Sequence, residues 1–209
     1  MSFPLRARRF EITVIGLILL ILVLLFPLRA DAHFLGDSWS WSSGHHLLTI
    51  QYDNNCSPSN YVAAADGAAN GWTATWTPLW FSKVSTNCSP MAAPVDIFTG
   101  SGSSALAWTQ NYEQDCFLFW CWWDADWNDT IGHSVIRLNT DAGTFPSLSA
   151  FDQQAVVAHE LGHSLGLAHA GYYAGESTGG YSLMDYCCFG YNTPQPHDVS
   201  DINALYPGW

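Results

Sequence analysis

Residues Leu47 to Tyr52 alternate, with Leu48, Ile50 and Tyr52 on one side and Leu47, Thr49 and Gln51 on the other. That period of two predicts a strand with one buried face. Ser57 and Pro58 then fit an N-cap and a first helical position. Val62, Ala65, Ala69, Trp72 and Trp76 follow at spacings of three and four, so a helix is expected over about 58–75. Gly67 and Gly71 weaken it by ~1 kcal/mol each relative to alanine, so packing has to hold it. Leu79 to Val84 and Val95 to Phe98 read as short strands, and Ala105 to Thr109 as a short edge strand after a Gly/Ser-rich stretch. Ser134 to Leu138 alternates again. Ser149 with Asp152 makes a capping box for a helix over about 150–165. Asp198 and Asp201 suggest the same for a last helix, whose Val199, Ile202 and Leu205 share a face until Pro207. The order is strand, helix, four strands, helix, helix: an α+β chain with no repeat and no internal linker.

The N-terminal stretch stands apart from that pattern. Arg6, Arg8 and Arg9 precede an apolar run from Ile12 to Phe26, and Ala30-Asp31-Ala32 offers an A-x-A cleavage site. This predicts a secretory signal over 1–32 and one domain over 33–209. The alternative is an uncleaved membrane anchor, but the run falls short of the ~20 residues a spanning helix needs. Without 1–32 the chain keeps Lys83 and Arg137 against sixteen acids, a formal charge of −14. Such a surface repels nucleic acid and anionic membranes. Cys56, Cys88, Cys116, Cys121, Cys187 and Cys188 all lie in the exported part. Disulfides are expected there, with fifteen pairings open. Cys56 with Cys88 is favoured because both lie in Asn-Cys-Ser segments flanking one strand–helix–strand unit, and Cys187 and Cys188 could take Cys116 and Cys121.

The chemistry concentrates in His159-Glu160-Leu161-Gly162-His163-Ser164-Leu165-Gly166-Leu167-Ala168-His169. His159 and His163 differ by four and share a helix face. Two imidazoles so placed can hold one zinc ion, with Glu160 between them as general base. Continued helix would carry His169 roughly 15 Å from His159, far beyond a zinc–nitrogen bond of about 2 Å. The helix must therefore stop, and Gly166 sits where a left-handed terminating residue is wanted. Three neutral histidines leave a fourth zinc position open for water, as in a catalytic site.

This segment resembles the zinc signature of the metzincin metallopeptidases, and Ser182-Leu183-Met184-Asp185-Tyr186 resembles their Met-turn. The resemblance covers about 28 residues, His159 to Tyr186. It implies a zincin-like α+β domain: a twisted, mixed, five-stranded sheet with three helices and a zinc cleft below an antiparallel edge strand. It implies one zinc held by His159, His163 and His169, with Met184 packed beneath them. Glu160 would take a proton from zinc-bound water and hand it to the leaving amine. Tyr186 either donates to the oxyanion, as in astacins, or only packs. Asp201 to Tyr206 is similar to the C-terminal helix of the matrixin branch. Matrixins, however, carry proline where this chain has Tyr186, and their cysteine-bearing latency motif is missing. The implied protein is a monomeric, secreted, matrixin-like endopeptidase acting on protein or peptide, without nucleic-acid partners and without membrane association once the signal is cleaved. The alternative is a catalytically silent peptide-binding protein of the same fold; the presence of Glu160 favours the enzyme.

Other features are weaker. Phe117-Leu118-Phe119-Trp120-Cys121-Trp122-Trp123 with Trp127 reads as a loop buried against the sheet edge, or else as a hydrophobic wall for substrate side chains. Asp124, Asp126 and Asn128 resemble the start of a calcium loop. Asp129 replaces its glycine and Val135 its glutamate, so it is no EF-hand; a looser Ca2+ site stays open. His45, His46, His133 and His197 lack partners at ligand spacing and read as surface or packing residues. Asn55, Asn87 and Asn128 head N-x-S/T sequons.

Overall fold

A largely parallel sheet and two helices laid against it dominate the computed structural model. It describes residues 35, 38–39, 48–53, 57, 59–85, 93–117, 120–125, 130–141, 143–170, 181–185 and 190–207. All belong to one unit, Ala32–Trp209. The strands are β1 (Ser38–Trp39), β2 (Leu48–Asp53), β3 (Leu79–Lys83), β4 (Val95–Gly100), β5 (Ala107–Phe117), β6 (Trp120–Asp124), β7 (Thr130–Ile131) and β8 (His133–Asn139). The helices are α1 (Ser59–Thr73), α2 (Ala150–Ser164) and α3 (Pro196–Leu205).

The main sheet runs β3-β2-β4-β8-β5-β6, with β1 and β7 forming a separate parallel pair. From β3 to β8 neighbouring strands are parallel, while β5 is antiparallel to both β8 and β6. The expected mixed sheet with three helices is thus present, but among the described residues it has six strands rather than five. The extra strand is part of the aromatic segment expected as a loop. β5 runs on past Thr109 to Phe117, and Glu113–Phe117 pairs with Trp120–Asp124 as a hairpin. Continuous aromatic sequence hides the alternation that marks a strand, which is why the hairpin escaped the pattern reading. The first part of β5, Ala107–Tyr112, has β8 as its one strand partner among the described residues.

The helices pack where the apolar stripes direct. Ala65, Ala68, Ala69 and Trp72 of α1 join Val157, Ala158 and Leu161 of α2 in one core with Val95, Ile97, Ile136 and Leu138 of the sheet. Alanines along α1 let the helix axes approach, and the Trp72 indole donates across the seam to the carbonyl of Ala158 (2.8 Å). Trp76, expected on the same stripe, lies beyond the helix end and is 85 % exposed. The last helix begins at Pro196, with Gln195 as N-cap and Asp198 at the third position. The expected caps, Asp198 and Asp201, are therefore inside it and buried. Pro196 explains the shift, because its fixed φ suits a first helical position.

Candidate metal centre

Helix α2 is shaped at both ends by the residues the pattern singled out. Ser149 caps it, its hydroxyl oxygen accepting from the Asp152 amide (3.2 Å) and donating to the Asp152 carboxylate (2.7 Å). At the other end Gly166 adopts φ +91°, a left-handed value that glycine tolerates without a Cβ penalty. The Gly166 amide donates to the carbonyl of His163 (3.0 Å) and the Leu167 amide to that of Gly162 (3.1 Å). That pair of bonds is a Schellman motif. The turn sends the chain back, so His169 meets the two histidines still on the helix.

The Nε2 atoms of His159, His163 and His169 form a triangle with all three sides 3.1 Å. The Nδ1 of His159 lies 2.8 Å from the carbonyl oxygen of Leu183, and that of His163 lies 2.7 Å from the carbonyl oxygen of Leu167. A carbonyl only accepts, so each of these Nδ1 atoms carries the hydrogen and donates it. The Nε2 atoms of these two rings then carry no hydrogen and present lone pairs, so they cannot hydrogen-bond each other. They face a common point together with the third ring, an arrangement that calls for a cation. A point about 2.0–2.1 Å from all three nitrogens, the usual zinc–nitrogen distance, lies only about 1 Å off their plane. The donor set fits zinc. Among the described residues no second group of three metal-capable side chains converges.

Burial keeps the imidazoles neutral, as ligation requires: it lowers His159 and His163 to about 4 and also lowers His169. Glu160, one position along α2, is buried, and that burial raises its carboxyl above the usual range. Its Oε2 lies 2.7 Å from the hydroxyl of Thr109 on β5.

A second layer holds the rings. Met184 is buried against α2, so close that a Cβ on Gly162 would collide with its sulfur. The Asp198 carboxylate accepts from the Ser182 hydroxyl (2.5 Å) and from the amides of Leu183 (2.9 Å), Met184 (3.3 Å) and Gln195 (2.7 Å). It thereby fixes the turn whose Leu183 carbonyl orients His159. Asn111 on β5 donates to the carbonyl of His163 (3.0 Å), and Tyr206 donates to that of Leu165 (2.8 Å). The pattern reading missed Thr109 and Asn111 and took Asp198 only for a cap.

Tyr186, Asp126, Asn128, the paired His45 and His46 and the three sequon asparagines lie outside the described residues. His133, read as a surface or packing residue, is 2 % exposed, its Nε2 3.6 Å from the carboxylate of Asp96. His197 lies 3.3 Å from Asp201 on the same helix. Neither reaches the triad's cluster. No helix among the described residues is long and apolar enough to cross a membrane.

No protein-family model and no curated protein matches the chain. Among solved structures it is similar to high choriolytic enzyme 1, a hatching enzyme zinc-protease from Oryzias latipes (medaka fish). The identity is 15 % and the TM-score 0.46, over 87 % of this chain and 97 % of that one. It is also similar to two structures of myroilysin. One has 12 % identity and TM-score 0.43, over 88 % of this chain and 97 % of that one. The other has 14 % identity and TM-score 0.44, over 81 % of this chain and 96 % of that one.

Proposed function

We propose that this chain is a secreted, matrixin-like zinc endopeptidase, with residues 1–32 as its signal and 33–209 as one catalytic domain acting as a monomer on protein or peptide. One observation carries the reading: three imidazole Nε2 atoms converge beside a buried glutamate, next to a strand segment with one strand partner among the described residues. His159, His163 and His169 hold the metal. Zinc, when bound, polarises a peptide carbonyl and acidifies water. Glu160 takes a proton from the attacking water and returns it to the leaving amine. Tyr186 is assigned either to the oxyanion or to packing. A substrate adds its backbone alongside β5. The Asn139 amide donates to the Leu106 carbonyl, and Ala107 is paired with Leu138. Ala107 and Thr109 therefore sit in wide, non-bonded pairs with β8, so their own backbone groups turn to the other edge.

The test is Glu160→Gln. Glutamine keeps the size of the side chain but cannot accept the proton, so peptide hydrolysis should fall by at least about 10²–10⁴. Zinc content should stay near one per chain, because Glu160 is no ligand, whereas His163→Ala should lose the metal. Full activity in Glu160→Gln would place the base elsewhere. A zinc-loaded wild type that cuts none of a broad peptide library would favour the silent, peptide-binding alternative.

A further inference from the structure

Among the described residues, Glu160 is the buried carboxylate that adjoins a triad histidine in sequence, and its side-chain partner comes from the strand, not the helix. Thr109 lies on β5, 51 residues earlier in the chain, and its Oγ1 stands 2.7 Å from Glu160 Oε2 and 3.0 Å from the carbonyl oxygen of the same residue. A hydroxyl has one hydrogen to give. The shorter contact, to a carboxylate, is the stronger, since charge-assisted bonds exceed neutral ones. The hydroxyl thus donates to Oε2 and lies beside the Glu160 carbonyl oxygen. Among the described residues, that leaves Oε1 as the oxygen with no bond to the strand. A buried glutamate has three rotatable bonds, and catalysis requires its reactive oxygen held within a fraction of an ångström. Thr109 supplies such a restraint from outside α2.

We infer that Thr109 is a positioning residue for the general base, with its hydroxyl fixing which carboxylate oxygen of Glu160 faces the metal and substrate. The inference rests on the peptidase reading above. It goes further by linking two parts of the site. The residue that orients the base also turns its backbone to the open side of β5, where the substrate strand is proposed to lie. A peptide that shifts β5 shifts the base with it.

Two conservative variants separate the hydroxyl from the shape of the side chain. Thr109→Val keeps the branching and removes the donor; Thr109→Ser keeps the donor and removes the methyl group. For the zinc-loaded mature protein, kcat of Thr109→Val should fall about tenfold or more, the scale of a lost hydrogen bond to a charged group. KM should change by less than about twofold, since uniform binding is not at stake. Thr109→Ser should restore most of kcat. An active wild type with Thr109→Val unaffected, or with Thr109→Ser as impaired as Thr109→Val, overturns this inference alone. A wild type without turnover overturns the peptidase reading and this inference together. A readout independent of turnover is the urea midpoint of chelator-treated protein in a double-mutant cycle of Thr109→Val with Glu160→Ala. Thr109→Val should lower the midpoint in the wild-type background and have much less effect once Glu160 is alanine. Additive effects would mean the two side chains do not interact, and would overturn the inference whatever the activity.

Discussion

His133 shows how much a single residue's surroundings decide. It is enclosed by the rings of Tyr112 (6.1 Å between centroids) and Trp123 (5.7 Å) and by Asp96. Burial lowers it to about 4, opposed in part by a hydrogen bond with the Ala93 backbone. The folded state therefore keeps this imidazole neutral, while the unfolded chain protonates it near 6.5. Between those values the unfolded state binds the extra proton, so stability from this group is full above about 6.5 and is lost as pH falls towards 4. Tyr112 and Asp96 are the other titratable groups facing it among the described residues. Denaturation of His133→Gln should show a shallower loss of stability over that range than wild type, and an unchanged slope would contradict the reading. The sequence marked His133 only as lacking ligand spacing. Thr109 was invisible for a related reason: a threonine in a strand is ordinary until its partner, far along the chain, is known. His159, His163 and His169 were legible because all three lie within one turn-bounded segment, where spacing translates directly into geometry.

Helix α2 is the element on which most of the sequence reading succeeded. Its cap at Ser149 and its stop at Gly166 are local devices, set by neighbours within a few positions. Gly166→Ala would place a Cβ in the left-handed region and should cost about 1–2 kcal/mol, read as a lower urea midpoint. Gly162→Ala meets a different obstacle, the Met184 sulfur, and should cost about 1–3 kcal/mol by overpacking. Met184→Ala in that background should recover part of the loss, and no recovery would mean that the strain lies elsewhere. The α3 start was misplaced because Asp198 satisfies two demands. It caps its own helix through the Gln195 amide and also anchors residues 182–184, and only the first demand leaves a trace in local sequence. The β5–β6 hairpin was missed because cross-strand pairing, not alternation, defines it.

At the scale of the whole molecule, the α+β architecture followed from the order of periodic segments, but strand count and sheet order did not. Those depend on pairings such as β4 with β8 and β5 with β8, which carry no local signature. The same contrast between near and far has a consequence in time. The three imidazoles are gathered by a loop of ten residues, whereas the Thr109–Glu160 bond closes one of 51. Loop-closure entropy and the β pairing that must come first both delay the longer contact. On the proposed peptidase reading, metal uptake during refolding with zinc present should therefore precede the return of peptide cleavage, measurable with a zinc indicator beside a fluorogenic substrate. Simultaneous recovery would show that the triad waits for the sheet. A nascent chain that can hold zinc before its base is set would be loaded while still harmless to its neighbours, so the delay itself would act as a brief, built-in latency.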